Sequence, residues 1–237
     1  MRRFRYLLLM PALLVTAVQS STTMPAEQYQ STRVLSPDQH LCTIKGGYPY
    51  REKSDYVLRE LDLHPGDVVV DIGAGDGWWT ERMAELVGPN GMVYAAEVDQ
   101  KLVDRMLDKY DTPQIKPYLC ETDSTGLPEN SCDLAFLSKT YHHLNPGGHV
   151  AYLRHLRKVV KPTGRVCIIE KYPPVGDDRK HHAWPPGLLI EQAEEAGWVP
   201  VRYELITGTH HYIAFFVQKD LFTAAAPSTK PATSCDE

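Results

Sequence analysis

The chain reads as an α/β protein: a doubly wound, seven-stranded Rossmann-like sheet, mostly parallel with an antiparallel last strand. Three observations predict this. Residues 68–77, Val-Val-Val-Asp-Ile-Gly-Ala-Gly-Asp-Gly, form a buried apolar strand that runs into a glycine turn. Strand-like runs lie at 67–72, 92–97, 115–120, 133–138, 164–170, 200–206 and 211–218, and five of them alternate with helical patterns, as a parallel sheet covered on both faces requires. The last two runs are joined by Thr207-Gly208-Thr209, a hairpin-length connection that pairs them antiparallel.

The individual elements follow from spacing. After the glycine turn, Trp79, Met83 and Leu86 recur at helical intervals. Leu153, Leu156 and Val160 do the same, as do Leu189, Ala193 and Ala196, the last series stopped by Gly197. Pro117 falls inside the third run; proline has no N–H for the ladder, so that strand belongs at a sheet edge. Glycines in the turn at 73–77 tolerate positive φ and carry no Cβ, so a ligand can lie against bare backbone. The carboxyl edge of a parallel sheet is where nucleotide-like ligands bind. The spacing here is D-x-G-x-G-x-G and not the dinucleotide G-x-G-x-x-G. A carboxylate at Asp71 repels a phosphate and favours a cationic ligand, which counts against a nicotinamide-dependent oxidoreductase.

Further residues extend the pattern. Met92 to Ala96 is a short apolar strand ending in Glu97, with Asp99 two residues on. A carboxylate at that strand end can accept both hydroxyls of a ribose. Glu121 to Pro128 is an acidic loop containing Asp123; Asp133 to Ser138 is a fourth strand, followed by Tyr141-His142-His143-Leu144; Lys161-Pro162-Thr163-Gly164-Arg165 turns into a fifth. In this order and spacing the chain, from about Arg51 to Lys219, resembles the class I S-adenosylmethionine (SAM) methyltransferases. Thr163 replaces one glycine of that family's K-P-G-G-R turn. The resemblance implies the strand order three-two-one-four-five-seven-six and SAM as cofactor. It implies Asp71, Gly73, Ala74, Gly75 and Gly77 around the methionine part, Glu97 on the ribose and Asp123 near the adenine. It is closest to exported bacterial proteins of the methyltransferase type 11-like group, which share the Y-H-H segment and a late Pro-Pro, here Pro185-Pro186. Lys139 stands where that group often has an acid, so its substrate pocket does not simply carry over; a lysine there can hold an anionic acceptor, repel the sulfonium, or pack its stem with the head in solvent.

Six of the ten histidines come as adjacent pairs, His142-His143, His181-His182 and His210-His211. By the fold reading all three pairs fall at the carboxyl edge of the sheet, at the mouth where a methyl group would be presented. One reading makes His142 or His143 a general base near neutral pH. Another is a His/Glu metal site using Glu170 or Asp177. The plain alternative is solvated or packed histidines, because neighbours on a strand point to opposite sides, so at most one of each pair faces the cleft. No metal ligand set is assigned. Of the aromatics, Trp79 reads as core and Trp78 as a candidate shield over the cofactor; Tyr141 either lines the acceptor pocket or packs beneath it.

The ends are different material. Arg2, Arg3 and Arg5 precede an apolar run from Tyr6 to Val18, with no acid before Glu27, the layout of a secretory signal peptide. The expected organisation is a signal peptide at 1–20, a flexible segment at 21–50, the methyltransferase-like domain at 51–219 and a disordered tail at 220–237. An uncleaved membrane anchor and a mitochondrial presequence are the alternatives for the N-terminal stretch. Export to the periplasm or medium is the expected localisation, with contact to a membrane only through that segment. Net charge is −5, and loss of the three leader arginines leaves about −8. With no basic stripe or aromatic platform, a nucleic-acid partner is not expected. Five cysteines (Cys42, Cys120, Cys132, Cys167, Cys235) show no C-x-x-C spacing; Cys120 and Cys167 fall in strands, where a free thiol packs as a small apolar group. The expected function is methyl transfer from SAM to a small-molecule acceptor. The alternative is a non-catalytic metabolite- or metal-binding protein on the same fold.

Overall fold

The computed structural model describes residues 49–145, 147–173 and 182–223. The expected leader, most of the following flexible segment, most of the tail, Asp177 and His181 all lie outside the described residues. Within them, a 3-10 turn at Pro49–Lys53 leads into α1 (Ser54–Leu61), and the alternating units follow: β1 (Val68–Ile72), α2 (Trp78–Val87), β2 (Met92–Glu97), α3 (Gln100–Lys109), β3 (Ile115–Leu119) and β4 (Cys132–Ser138). A second 3-10 turn, Tyr141–His143, precedes α4 (His149–Val159), β5 (Val160–Lys171), α5 (Pro186–Glu195), β6 (Trp198–Leu205), β7 (His211–Gln218) and α6 (Asp220–Thr223). The described chain therefore continues in helix past the boundary expected at residue 219.

The seven strands form one sheet in the order β3-β2-β1-β4-β5-β7-β6. β3, β2, β1, β4 and β5 pair parallel, and β7 runs antiparallel to both β5 and β6. Fold class and strand order are those the sequence predicts. β3, with Pro117, is at one edge; β6 is at the other and carries Pro200, where its register with β7 is interrupted before Arg202. The edge strands tolerate these prolines, and Pro162 lies in the first residues of β5, at the break between the Val160 and Arg165 pairings with β4.

Side-chain alternation divides the core between the two faces of the sheet. On one face Val70, Ile72, Ala135, Leu137, Val166 and Ile168 meet Tyr152, Leu153 and Leu156 of α4 and Leu189 and Ala193 of α5. On the other, Val69, Leu134, Phe136, Cys167 and Ile169 meet Val57 and Leu61 of α1 and Trp79, Met83 and Val87 of α2. The α2 stripe is Trp79, Met83, Val87; Leu86 is 38% exposed, because the third core position of this helix is one residue later than the sequence spacing suggests. Val160 is buried as expected, but it closes α4 and opens β5, a strand that starts four residues earlier than the apolar run alone indicates. Trp198 is almost wholly buried and its indole N–H donates to the Leu153 carbonyl at 2.8 Å, tying β6 to α4.

Cys132 and Cys167 are buried free thiols and Cys120 a partly buried one just beyond β3. Burial pushes the thiols of Cys120 and Cys132 up to about 11 and about 12, so both stay protonated at neutral pH and act as packing groups.

Gly164, the glycine retained in the turn into β5, lies where chains cross closely. A Cβ there would stand 2.8 Å from the Asp133 carbonyl oxygen and 2.6 Å from a Val160 methyl. Since the first neighbour is backbone, relief requires moving β4. Gly164→Ala is expected to lower the unfolding free energy by about 1–3 kcal/mol, read from urea denaturation midpoints at constant m value.

Candidate active-site cleft

The carboxyl ends of β1, β2, β3 and β4, with His182 from beyond β5, open into one cleft of about 920 Å³. That is at the upper end of the roughly 300–1,000 Å³ typical of small-molecule sites, room for a cofactor and a second ligand together. Its floor is the glycine turn. Gly73, Gly75 and Gly77 all have positive φ (69°, 61° and 75°), the conformation that favours glycine. Gly73 has a second reason to lack a side chain: an added Cβ would lie 2.4 Å from Thr140 Oγ1, on the loop leaving β4. The amides of Gly73 and Ala74 donate to the Ala96 carbonyl at 2.9 and 3.2 Å, so the turn is anchored on the end of β2.

Glu97 completes that anchor. It is 7% exposed, and its carboxylate accepts from the Gly75 amide (2.8 Å) on one oxygen and from the Val98 and Asp99 amides (2.8 and 3.2 Å) on the other. Three of roughly four acceptor positions of a carboxylate are thus occupied, leaving one on Oε2. Gly73, Ala74, Gly75 and Glu97 all line the cleft, together with Asp76, Trp79 and Arg51, which pairs with Asp76 at 3.3 Å. Gly77 caps α2 from beneath and its carbonyl accepts from the Tyr110 hydroxyl at 2.8 Å. Trp79, expected as core, packs edge-on against Phe136 and also reaches the cleft wall; Trp78 lies outside it, with the Arg82 guanidinium 3.6 Å from its ring centre.

Gly77 does not line the cleft, and two further expected contact residues are also placed away from it. Asp71 does not line the cleft: its carboxylate is buried behind the turn and accepts from Thr80 Oγ1 at 2.6 Å, the side chain that α2 supplies in its first turn. Asp123 is exposed beyond the rim, and the wall at its loop is made by Cys120, Glu121 and Thr122 instead. β3 ends at Leu119, so Cys120 to Thr122 are the residues next to the strand end, and Asp123 lies one further on, within the Glu121–Ser124 bridge.

The opposite wall carries the histidines. His142, His143 and His182 all line the cleft, with one ring nitrogen of each within 4.8 Å of the others. His142 and His143 both face it because they lie on a 3-10 turn, where successive side chains diverge by about 120° and not the 180° of a strand. The third pair is elsewhere: neither His210 nor His211 lines the cleft, and His211 is buried at the start of β7, where burial pushes its pKa down to about 3. Behind His142 stands Glu170, fully buried on β5, whose two oxygens lie 2.9 and 2.8 Å from His142 Nδ1; one of them also accepts from the His142 amide at 3.2 Å. Glu170 therefore holds the proton on Nδ1 and turns the lone pair of Nε2 toward the cleft. Desolvation and the neighbouring rings lower the pKa of His143, which keeps it neutral at physiological pH. Tyr141 is packed and not lining: it is fully buried, with its hydroxyl donating to Gln192 Oε1 at 3.0 Å.

Sequence reasoning identified Glu97, the glycines and the Y-H-H segment. It had no means to find Arg51, Thr140 or the meeting of His182 with His142, since these are brought together only by loops that cross in space. Lys139 also lines the cleft, held in a left-handed conformation (φ 59°) at the end of β4, with burial lowering its pKa.

Burial lifts the Asp71 carboxyl from 3.8 to about 7, opposed by the Thr80 hydrogen bond. Its folded value exceeds its unfolded one, so its contribution to stability is complete below pH 4 and is lost as pH rises through about 7. Asp71→Asn keeps an acceptor for Thr80 and cannot ionise. The melting temperature of the variant relative to the parent is expected to rise between pH 4 and pH 8; a difference that stays flat across that range contradicts an upward-shifted Asp71.

Comparison with known proteins agrees with this geometry. Residues 69–164 match the family described as "Methyltransferase domain". The ubiquinone/menaquinone biosynthesis C-methyltransferase UbiE of Burkholderia cenocepacia is 31% identical over 129 residues, 51% of this chain and 50% of that protein. The chain thus spans about half the length of the curated relatives it matches. Among solved structures, a SAM-dependent methyltransferase from Aquifex aeolicus superposes with a TM-score of 0.63 at 24% identity, covering 71% of this chain and 92% of that one. An S-adenosylmethionine-dependent methyltransferase from Mesorhizobium loti gives 0.58 at 16% identity, over 68% and 95%. The described domain has the fold of these methyltransferases, and the stretch that matches the methyltransferase-domain family runs from β1 to the start of β5.

Proposed function

We propose that this protein is a SAM-dependent methyltransferase acting on a small-molecule acceptor. The observation that carries the reading is the turn at 73–77, anchored on β2 and held by Glu97, at the floor of a cleft large enough for two ligands. The residues present fit the cofactor: bare glycine backbone without a phosphate-binding arrangement, carboxylates for a cationic ligand, and one acceptor position on Glu97 for a ribose hydroxyl. SAM supplies an electrophilic methyl group on a sulfonium. The chain's residues bind and orient it: Gly73, Ala74 and Gly75 offer the surface for the methionine part, and Glu97 holds the ribose. Where the acceptor is an O–H or N–H group, His142 is placed to take the proton on Nε2 while Glu170 steadies the imidazolium that results. His143 offers a second neutral imidazole beside it.

The finer assignment to the exported methyltransferase type 11-like group rests on the Arg-rich start, the apolar run to Val18 and the Y-H-H and Pro185-Pro186 signatures. Export is part of the proposal on those grounds. Among the described residues no helix is long and apolar enough to cross a membrane. A binding protein without catalysis is the second reading, favoured by the histidine cluster; it leaves the combination of Glu97 and the bare glycine turn without a purpose.

Calorimetric titration of the metal-free protein with SAM, and separately with S-adenosylhomocysteine, tests the proposal. Micromolar binding is expected, weakened about 10- to 100-fold in Glu97→Ala, the effect of removing a charged hydrogen-bond partner. Absence of binding to either ligand by demonstrably folded protein overturns the cofactor assignment.

A further inference from the structure

Beyond the cofactor, the histidine wall has the composition and spacing of a metal centre. We propose that His142, His143 and His182 bind one divalent late first-row cation of the Zn²⁺ type, at the mouth of the cleft, with Glu170 orienting His142 from behind.

The separations support it. His142 Nε2 and His182 Nδ1 are 3.2 Å apart. Two imidazoles on one tetrahedral ion, each bound at about 2.0–2.1 Å, place their nitrogens about 3.3 Å from each other. All three ring nitrogens lie within 4.8 Å of one another, and the His143 ring packs 4.0 Å from that of His142 between ring centres. Three neutral nitrogen donors without a thiolate suit zinc, nickel, cobalt or copper and are a poor match for magnesium or calcium, which take oxygen ligands.

The support around the trio is that of a ligand set. A metal-bound histidine characteristically donates its other ring N–H to a carboxylate, which fixes the tautomer and raises its basicity. His142 does this to Glu170, whose carboxylate has no exposure to solvent. Glu170 is itself fixed, accepting also from the His142 and Lys171 amides at 3.2 and 3.3 Å, so its hold on Nδ1 is positioned in advance. His182 is held over the cleft by its surroundings: the Trp184 amide donates to the Lys171 carbonyl at 2.9 Å, and the Trp184 ring stacks on His149 with 4.3 Å between centres. His182 itself adopts φ 66°, a costly conformation for a residue with a side chain.

Three protein ligands leave a tetrahedral ion one open position, and the cleft is the space it opens into. If the SAM reading holds, on which this role depends, that position takes the acceptor atom. With the ion bound, His142 Nε2 is a ligand and not a base, so an acceptor hydroxyl or thiol gives its proton to solvent on binding the ion. The resulting anion attacks the methyl carbon; the new bond to carbon forms as the carbon–sulfur bond breaks, and sulfur leaves with the electron pair as a neutral thioether.

The test uses metal alone, with no SAM present, so its outcome is independent of the cofactor assignment. Chelator-treated full-length protein is titrated with Zn²⁺ against a chromophoric competitor, and with Co²⁺ while the visible spectrum is recorded. One equivalent bound at micromolar or tighter affinity is expected, with intense tetrahedral-type Co²⁺ absorption. His182→Ala and His143→Ala, both at exposed positions and checked for folding by circular dichroism, should each weaken binding at least 100-fold. Glu170→Gln should weaken it about 10- to 100-fold, and His210→Ala, outside the cleft, should leave it unchanged. Binding absent from folded parent protein, or binding that survives both His143→Ala and His182→Ala, overturns the proposal and returns the trio to proton transfer alone.

Discussion

The hydrogen bond from the Gly75 amide to the Glu97 carboxylate, 2.8 Å long, joins the turn after β1 to the end of β2 and is the contact on which the cleft depends. A glycine-rich turn has many accessible conformations and little intrinsic reason to hold one. Here it is held at several points: Gly73 and Ala74 on the Ala96 carbonyl, Gly75 on Glu97, and Gly77 under Tyr110. The bare backbone then meets the ligand already ordered, and the entropy of arranging it is spent in folding and not in binding. The same carboxylate that fixes the turn lines the cleft, so structure and recognition share one group.

The two walls use buried carboxylates in opposite ways. Asp71 sits behind the turn against Thr80 with no cation among its named partners, and burial lifts it toward neutrality. Glu170 is equally buried but faces His142, so its charge is answered by an imidazole N–H and, in the proposed metal state, by an ion beyond it. Of the two, only Glu170 acts on a side chain that lines the cleft, His142.

The floor of the cleft belongs to β1 and β2, and the histidine wall to the loops after β4 and β5. The two meet where Thr140, on the loop leaving β4, closes on Gly73.

Strand number and direction were legible in the chain itself, and the strand order followed from the family resemblance. Two-residue alternation along β1, β4 and β5, and proline at 117, each act locally, through side-chain burial on a pleated sheet and through a missing N–H. Gly73, Gly75, Gly77 and Glu97 were legible for the same reason, being tied to one turn and the strand end beside it. Reach was not. Asp71 and Asp123 occupy the expected positions in sequence, yet one points behind the turn and the other outward, because side-chain direction depends on what packs against each carboxylate. The pairing of histidines along the chain suggested three equivalent doublets; the tertiary structure breaks them up, sending His211 into the core and bringing His182 across forty positions to His142. The sequence by itself determined the sheet and the cofactor turn, since both follow from local periodicity and backbone freedom. Only the tertiary structure decided which polar groups share the cleft, since that depends on where loops from different strands converge.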